Sequence, residues 1–339
     1  MGAGAAVALT TGLLVALPET TVSALQSTLP AVTSPTWQTN GAVRTTIAAG
    51  GNVYLGGDFS SVRPPGSGAG TGEVARTRLA AFSATSGALV TSFNHTFNGN
   101  VRVLALSPDK KTLYVGGEFT TVDGSARSRL AAFDVASGAL TSWAPVSSGT
   151  VNALAASSTR VYVGGAFSKL ANVTTKNIGA VGTDGSAVPG FVGNPDNVIY
   201  GLALSPAGDK LFLAGAFTTY NGDATYHAAA SLNPTNAAVI PFPAVSAIPV
   251  PSPACSSVSK VVITDGTKVY YGNEGTGGGC FDGTFAASLS DGSLVWQNQC
   301  LGATQGIALL NNRLYVGSHA HDCSANTFDP DAFGERREL

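Results

Sequence analysis

Leu113-Tyr114-Val115-Gly116-Gly117-Glu118-Phe119 carries the reading of this chain: apolar residues around an aromatic one, a glycine pair, a polar residue and a phenylalanine. The same pattern stands at Val53-Tyr54-Leu55-Gly56-Gly57-Asp58-Phe59 and at Val161-Tyr162-Val163-Gly164-Gly165-Ala166-Phe167. Looser copies are Leu211-Phe212-Leu213-Ala214-Gly215-Ala216-Phe217, Val269-Tyr270-Tyr271-Gly272-Asn273-Glu274 and Leu314-Tyr315-Val316-Gly317-Ser318-His319. With the second glycine position as marker (57, 117, 165, 215, 273, 318), successive copies lie 60, 48, 50, 58 and 45 residues apart. Self-similarity at such a period is the signature of propellers and solenoids.

Working outward from the glycine pair, each unit resolves into four strands. An apolar segment such as Val101–Leu106 or Val198–Leu204 precedes the motif and is read as strand a. Turns with proline and glycine, Ser107-Pro108-Asp109-Lys110 and Ser205-Pro206-Ala207-Gly208, lead from it into the motif, strand b. Strand c reads Arg78-Leu79-Ala80-Ala81-Phe82 and Arg129-Leu130-Ala131-Ala132-Phe133. A turn at Gly87, Gly138, Gly185 or Gly292 then opens strand d, which carries Phe93, Trp143, Phe191, Phe242 or Trp296. Four consecutive antiparallel strands in about 50 residues make a propeller blade, and runs of helical period are missing. Glycine in strand b lets neighbouring backbones approach closely.

Pro30-Ala31-Val32-Thr33-Ser34-Pro35-Thr36-Trp37 matches strand d as written at Gly138–Trp143, yet no earlier strand of a unit precedes it. An isolated outer strand of this kind can pair with the last blade and remove both open edges. The expected fold is therefore all-β: a β-propeller of six four-stranded blades, closed by the N-terminal strand, with strand c of the last blade missing. Arg336-Arg337-Glu338-Leu339 aligns with Arg127-Ser128-Arg129-Leu130, so the sequence stops where that strand would start, and further domains are expected after residue 339.

The VYVGG-x-F strand followed by RLAAFD-x-x-SGAL, at 113–119 with 129–140, resembles the delta-60 repeat β-propellers of large secreted proteins from high-GC Gram-positive bacteria. The resemblance spans about residues 30–339. It implies an extracellular setting, often beside carbohydrate-binding, polycystic-kidney-type or lectin-like modules, and it carries over no catalytic residue.

Composition agrees with many short strands. The 339 residues include 42 Gly and 17 Pro, with 11% charged residues, far below the quarter usual for soluble domains. A net charge of -2 and the absence of any Lys/Arg-rich run exclude a nucleic-acid footprint. The first charge is Glu19, after an apolar stretch too short to span a membrane, and Val22-Ser23-Ala24 offers a small-residue cleavage pattern. Residues 1–24 are read as a secretory signal and 25–339 as the propeller. No membrane span is expected in the mature chain, which is placed outside the cell or on its surface.

Four cysteines, Cys255, Cys280, Cys300 and Cys323, fall in the last two units, and an even count in a secreted chain favours disulfides. The entry to strand a and the b–c loop lie at one end of a blade, which pairs Cys255 with Cys280 and Cys300 with Cys323. The residue after the glycine pair is Asp58, Glu118, Ala166, Ala216, Glu274 and His319 in turn. By repeat equivalence these positions form a ring, so Asp58, Glu118, Glu274 and His319 are the candidate ligand-binding residues of a channel mouth. His319, His321 and Asp322 are a candidate divalent-metal set, since alternate residues of an extended segment face one side; no other cofactor is expected. Asp123-Gly124 and Asn221-Gly222 read as hairpin turns. The expected function is a binding or display module for glycans or cell-surface proteins. The second reading is an extracellular hydrolase or lyase that uses the acidic mouth, with metal assistance.

Overall fold

A computed structural model describes residues 36–276, 280–299, 302–310 and 313–318. They form antiparallel sheets that follow the repeat, and the one helical element among them is a short 3-10 turn at Pro243–Ala247. Among the described residues no helix is long and apolar enough to cross a membrane. Unit three is complete: Thr150–Ala156, Arg160–Ala166, Ile178–Gly182 and Ala187–Val192 run as neighbours in one four-stranded sheet. Units four and five repeat this order, from Ile199–Leu204 to Val239–Ile240 and from Ser256–Thr264 to Leu294–Gln299. In units one and two the fourth strand shrinks to a single bridge, Phe82 to Leu89 and Phe133 to Leu140. The last unit shows two strands, Thr304–Leu310 and Arg313–Ser318.

The sheets stack face to face, because strand b is apolar on both sides. Leu113, Tyr114 and Val115 are all buried, as are Val161, Tyr162 and Val163. The cores lie between successive sheets: one joins Leu104 and Phe133 of unit two to Tyr54 of unit one, and another joins Tyr162 of unit three to Leu211 and Leu213 of unit four. Each such side chain contributes about 1.5–3 kcal/mol through burial. The first strands pack side by side in chain order, from Val43–Ala49 of unit one to Thr304–Leu310 of the last unit.

The glycine pair has two separate reasons. A Cβ on Gly116 would lie 2.6 Å from Val151 Cγ1 of the next unit, so the first glycine admits the neighbouring sheet. A Cβ on Gly117 would lie 2.1 Å from the Asn100 carbonyl oxygen, so the second admits the unit's own first strand. Of the outer aromatics expected on strand d, Phe191 and Trp296 lie within it, whereas Phe93, Trp143 and Phe242 lie just beyond the short outer pairing, a correction to the sequence reading. Their rings meet strand b as Tyr54–Phe93, Tyr114–Trp143, Tyr162–Phe191, Phe212–Phe242 and Tyr270–Trp296, with centroids 5.1, 5.0, 5.3, 5.9 and 6.0 Å apart. The turns close as read: the Lys110 N–H donates to Ser107 O and that of Gly208 to Ser205 O, both at 2.8 Å. Asp123-Gly124 and Asn221-Gly222 adopt positive φ at hairpin tips.

One expectation needs correction at the N-terminus. Residues 30–35 lie outside the described residues, and the part that follows joins unit one, not the last unit. Trp37 packs with Phe59, Val62, Ala80 and Phe82, and Gln38–Thr39 pairs with Ser61–Arg63. The reason is a linker rule of the repeat: after each outer aromatic the chain has already crossed to the next unit. Thr39 meets Val62 just as Phe97 meets Val122, Ser147 meets Leu170 and Pro195 meets Tyr220. The described sheets remain open, the last being two-stranded.

Candidate binding face

Every first strand slips register by one residue at the same place. The irregularities fall between Val43 and Thr45, Val101 and Val103, Val151 and Ala153, Ile199 and Gly201, Ser259 and Val261, and Thr304 and Gly306. The extra residue is therefore Arg44, Arg102, Asn152, Tyr200, Lys260 and Gln305. A bulge re-aims its side chain and ends regular pairing. Because the first strands lie side by side, these six residues form one row.

The residue after the glycine pair is pinned beside its own bulge. The backbone N–H groups of Asp58, Glu118 and Ala216 donate to the carbonyls of Ala42, Asn100 and Val198, each at 2.9 Å, while Ala166 pairs with Thr150 and Glu274 with Val258. The two sets match in charge. Arg44 Nε donates to Asp58 Oδ1 at 2.8 Å, Arg102 Nε to Glu118 Oε1 at 2.9 Å, and Lys260 Nζ lies 2.9 Å from Glu274 Oε2. Where alanine follows the glycines, the bulge is uncharged: Asn152 beside Ala166, Tyr200 beside Ala216.

Neighbouring units meet along the row. Lys260 Nζ sits 4.8 Å from the centroid of the Tyr200 ring, and Asn152 Nδ2 donates to Ile199 O at 3.3 Å. Glu118 also accepts from Asn100 Nδ2 at 3.1 Å, and Asn100 Oδ1 accepts from Arg78 Nε at 3.1 Å. The hydrogen bond from Arg44 holds the Asp58 carboxyl below the usual carboxylate range, aided by the charges of Arg44, Arg102 and Arg78 against the opposing effect of burial. The same bond raises Arg44. Asp58, Glu118 and Glu274 thus occupy equivalent places in their units, each carboxylate with its own cation. His319 lies outside the described residues.

The rim beside the row is held by a second repeated device. Asn40 Oδ1 accepts the N–H groups of Ser60 and Ser61, and Asn98 Oδ1 those of Thr120 and Thr121. Ser148 Oγ and Asp196 Oδ1 do the same for Ser168 with Lys169 and for Thr218 with Thr219. In unit five the expected Cys255–Cys280 disulfide is formed, with Cα atoms 5.3 Å apart. Cys300, Cys323, His321 and Asp322 lie outside the described residues. Among the described residues no group of three or more His, Cys, Asp or Glu side chains gathers into a metal site.

The bulge residues were missed in the sequence because they share no chemistry. The signal that could have found them is the match within each unit, Arg with Asp or Glu, Lys with Glu, and a neutral residue with Ala.

No family model and no curated protein matches the chain. Among solved structures, a chain of the nidogen/laminin complex is similar to it at 13% identity, covering 73% of this chain and 74% of that one with a TM-score of 0.39.

Proposed function

We propose that this chain is a six-bladed β-propeller serving as an extracellular binding module, and that its ligand meets the row of bulge residues. The observation that carries the reading is the row itself: one bulge at one position in every unit, over a core that scarcely varies. A constant scaffold with a variable line of side chains is how binding faces are built on repeat folds.

The Cys255–Cys280 bridge supports an oxidising compartment, outside the cell or on its surface.

The test is incubation of the purified chain with a panel of oligosaccharides and cell-surface proteins, reading both binding and product. Saturable binding without product is expected. Cleavage that disappears when Glu118→Gln and Glu274→Gln are combined would overturn the reading.

A further inference from the structure

We infer that the part of the row between the Arg102–Glu118 and Lys260–Glu274 pairs is the ligand subsite, and that it takes an uncharged saccharide. The inference rests on the binding reading above and adds the ligand class. In units three and four the methyl groups of Ala166 and Ala216 stand where a carboxylate stands elsewhere, so the row beside Asn152 and Tyr200 carries no acid there. Both of these side chains are partly exposed. Among the described residues the Tyr200 hydroxyl has no hydrogen-bond partner, and Asn152 uses its amide N–H on Ile199 but leaves Oδ1 open. This stretch of the row therefore offers one acceptor and one hydroxyl that can both donate and accept.

The Tyr200 ring is held in advance. Lys260 lies against it, and Glu274 holds Lys260 in turn. A ring fixed before binding loses little side-chain freedom when a ligand arrives. A flat aromatic face suits the C–H face of a sugar ring, while the amide oxygen and phenol match its hydroxyls. Charge argues against an ionic ligand. The flanking cations and carboxylates are already paired with one another, so an anion or a cation would have to break a pair to gain one. An uncharged, hydroxyl-rich ligand needs no such exchange.

The experiment is calorimetric titration of the whole chain with cellotetraose, mannotetraose, tetragalacturonate and a chitosan tetramer. A neutral tetramer is expected to bind, and Tyr200→Ala and Ala216→Glu are each expected to weaken it at least about tenfold. Tyr200→Phe keeps the ring and its cation contact and is expected to lose about threefold or less, which separates loss of the platform from a folding defect. Lys110→Ala, in a turn away from the row, should leave affinity unchanged. Tetragalacturonate binding that needs Arg102 and ignores Tyr200 would overturn the subsite and ligand class while leaving the binding face standing. Neutral binding indifferent to every variant on the row would overturn both. Failure of all four tetramers to bind at millimolar concentration would overturn the ligand class.

Discussion

Units two and five follow the same strand order, yet they secure the end of the ladder beside the row by different chemistry. In unit two the ladder ends at Gly116-Gly117, the chain turns through a small ribbon of Thr121–Val122 and Ser125–Ala126, and Asn98 caps two of its N–H groups. In unit five the first two strands run to nine residues each, from Ser256–Thr264 and Lys268–Thr276, well past the bulge. Here the second glycine is replaced by Asn273, fully buried, whose Oδ1 accepts from the buried Ser259 Oγ at 2.6 Å. The Cys255–Cys280 bridge then ties the strand entry to the following loop. The bulge and its ion pair survive both solutions. What the repeat keeps constant is the position of the row; the means of holding the rim is free to change.

The largest effect expected to break this comparison is covalent. Cys255→Ser with Cys280→Ser should cost roughly 3 kcal/mol, since the bridge closes 25 residues in the unfolded chain. Denaturant unfolding checks it, and hydrogen exchange should show the loosening in unit five with unit two unchanged. Next comes Gly117→Ala, where the new methyl meets the Asn100 carbonyl; the expected loss is about 1–3 kcal/mol. An unchanged midpoint would mean that the close approach is soft. Asn273→Gly is expected to cost about 1–2 kcal/mol by orphaning the Ser259 hydroxyl, although it restores the glycine that unit two requires. Stabilisation instead would show that unit five is a degraded copy of unit two.

The smallest effect is electrostatic. Because Arg44 depresses the Asp58 pKa in the folded chain, the pair stabilises above the ordinary carboxylate pKa of about 4, and that contribution is lost as pH falls through the lower folded value. The pair is partly exposed, so the gain is about 1 kcal/mol or less. Asp58→Asn should lower stability at pH 7 by that amount, and the difference should shrink as pH falls below the ordinary carboxylate range, as read from paired melts.

Much of the fold was legible because glycine, aromatic and turn residues act through local sterics. The pair Gly116-Gly117 announces a close approach whichever unit supplies the partner, and Phe93, Trp143, Phe191, Phe242 and Trp296 each find a strand-b ring. The Cys255–Cys280 pairing followed from strand order alone. The row was only half legible. The residues after the glycines could be read off, whereas a bulge is a slip in pairing that leaves no composition behind. The partner of Asp58 sits 14 residues upstream, and only the ladder shows that Arg44 faces it. Trp37 misled for a related reason. The residues after Trp37 join unit one, a choice that its likeness to Trp143 does not fix.

The central claim is that the binding face is the row of bulge side chains. A crystal structure of the chain with the tightest-binding oligosaccharide of the panel tests it most directly. The account predicts the sugar over Ala166 and Ala216, in contact with Tyr200 and Asn152. A ligand seated on the outer strands, or in a groove between outer aromatics such as Trp143 and its neighbours, would contradict it.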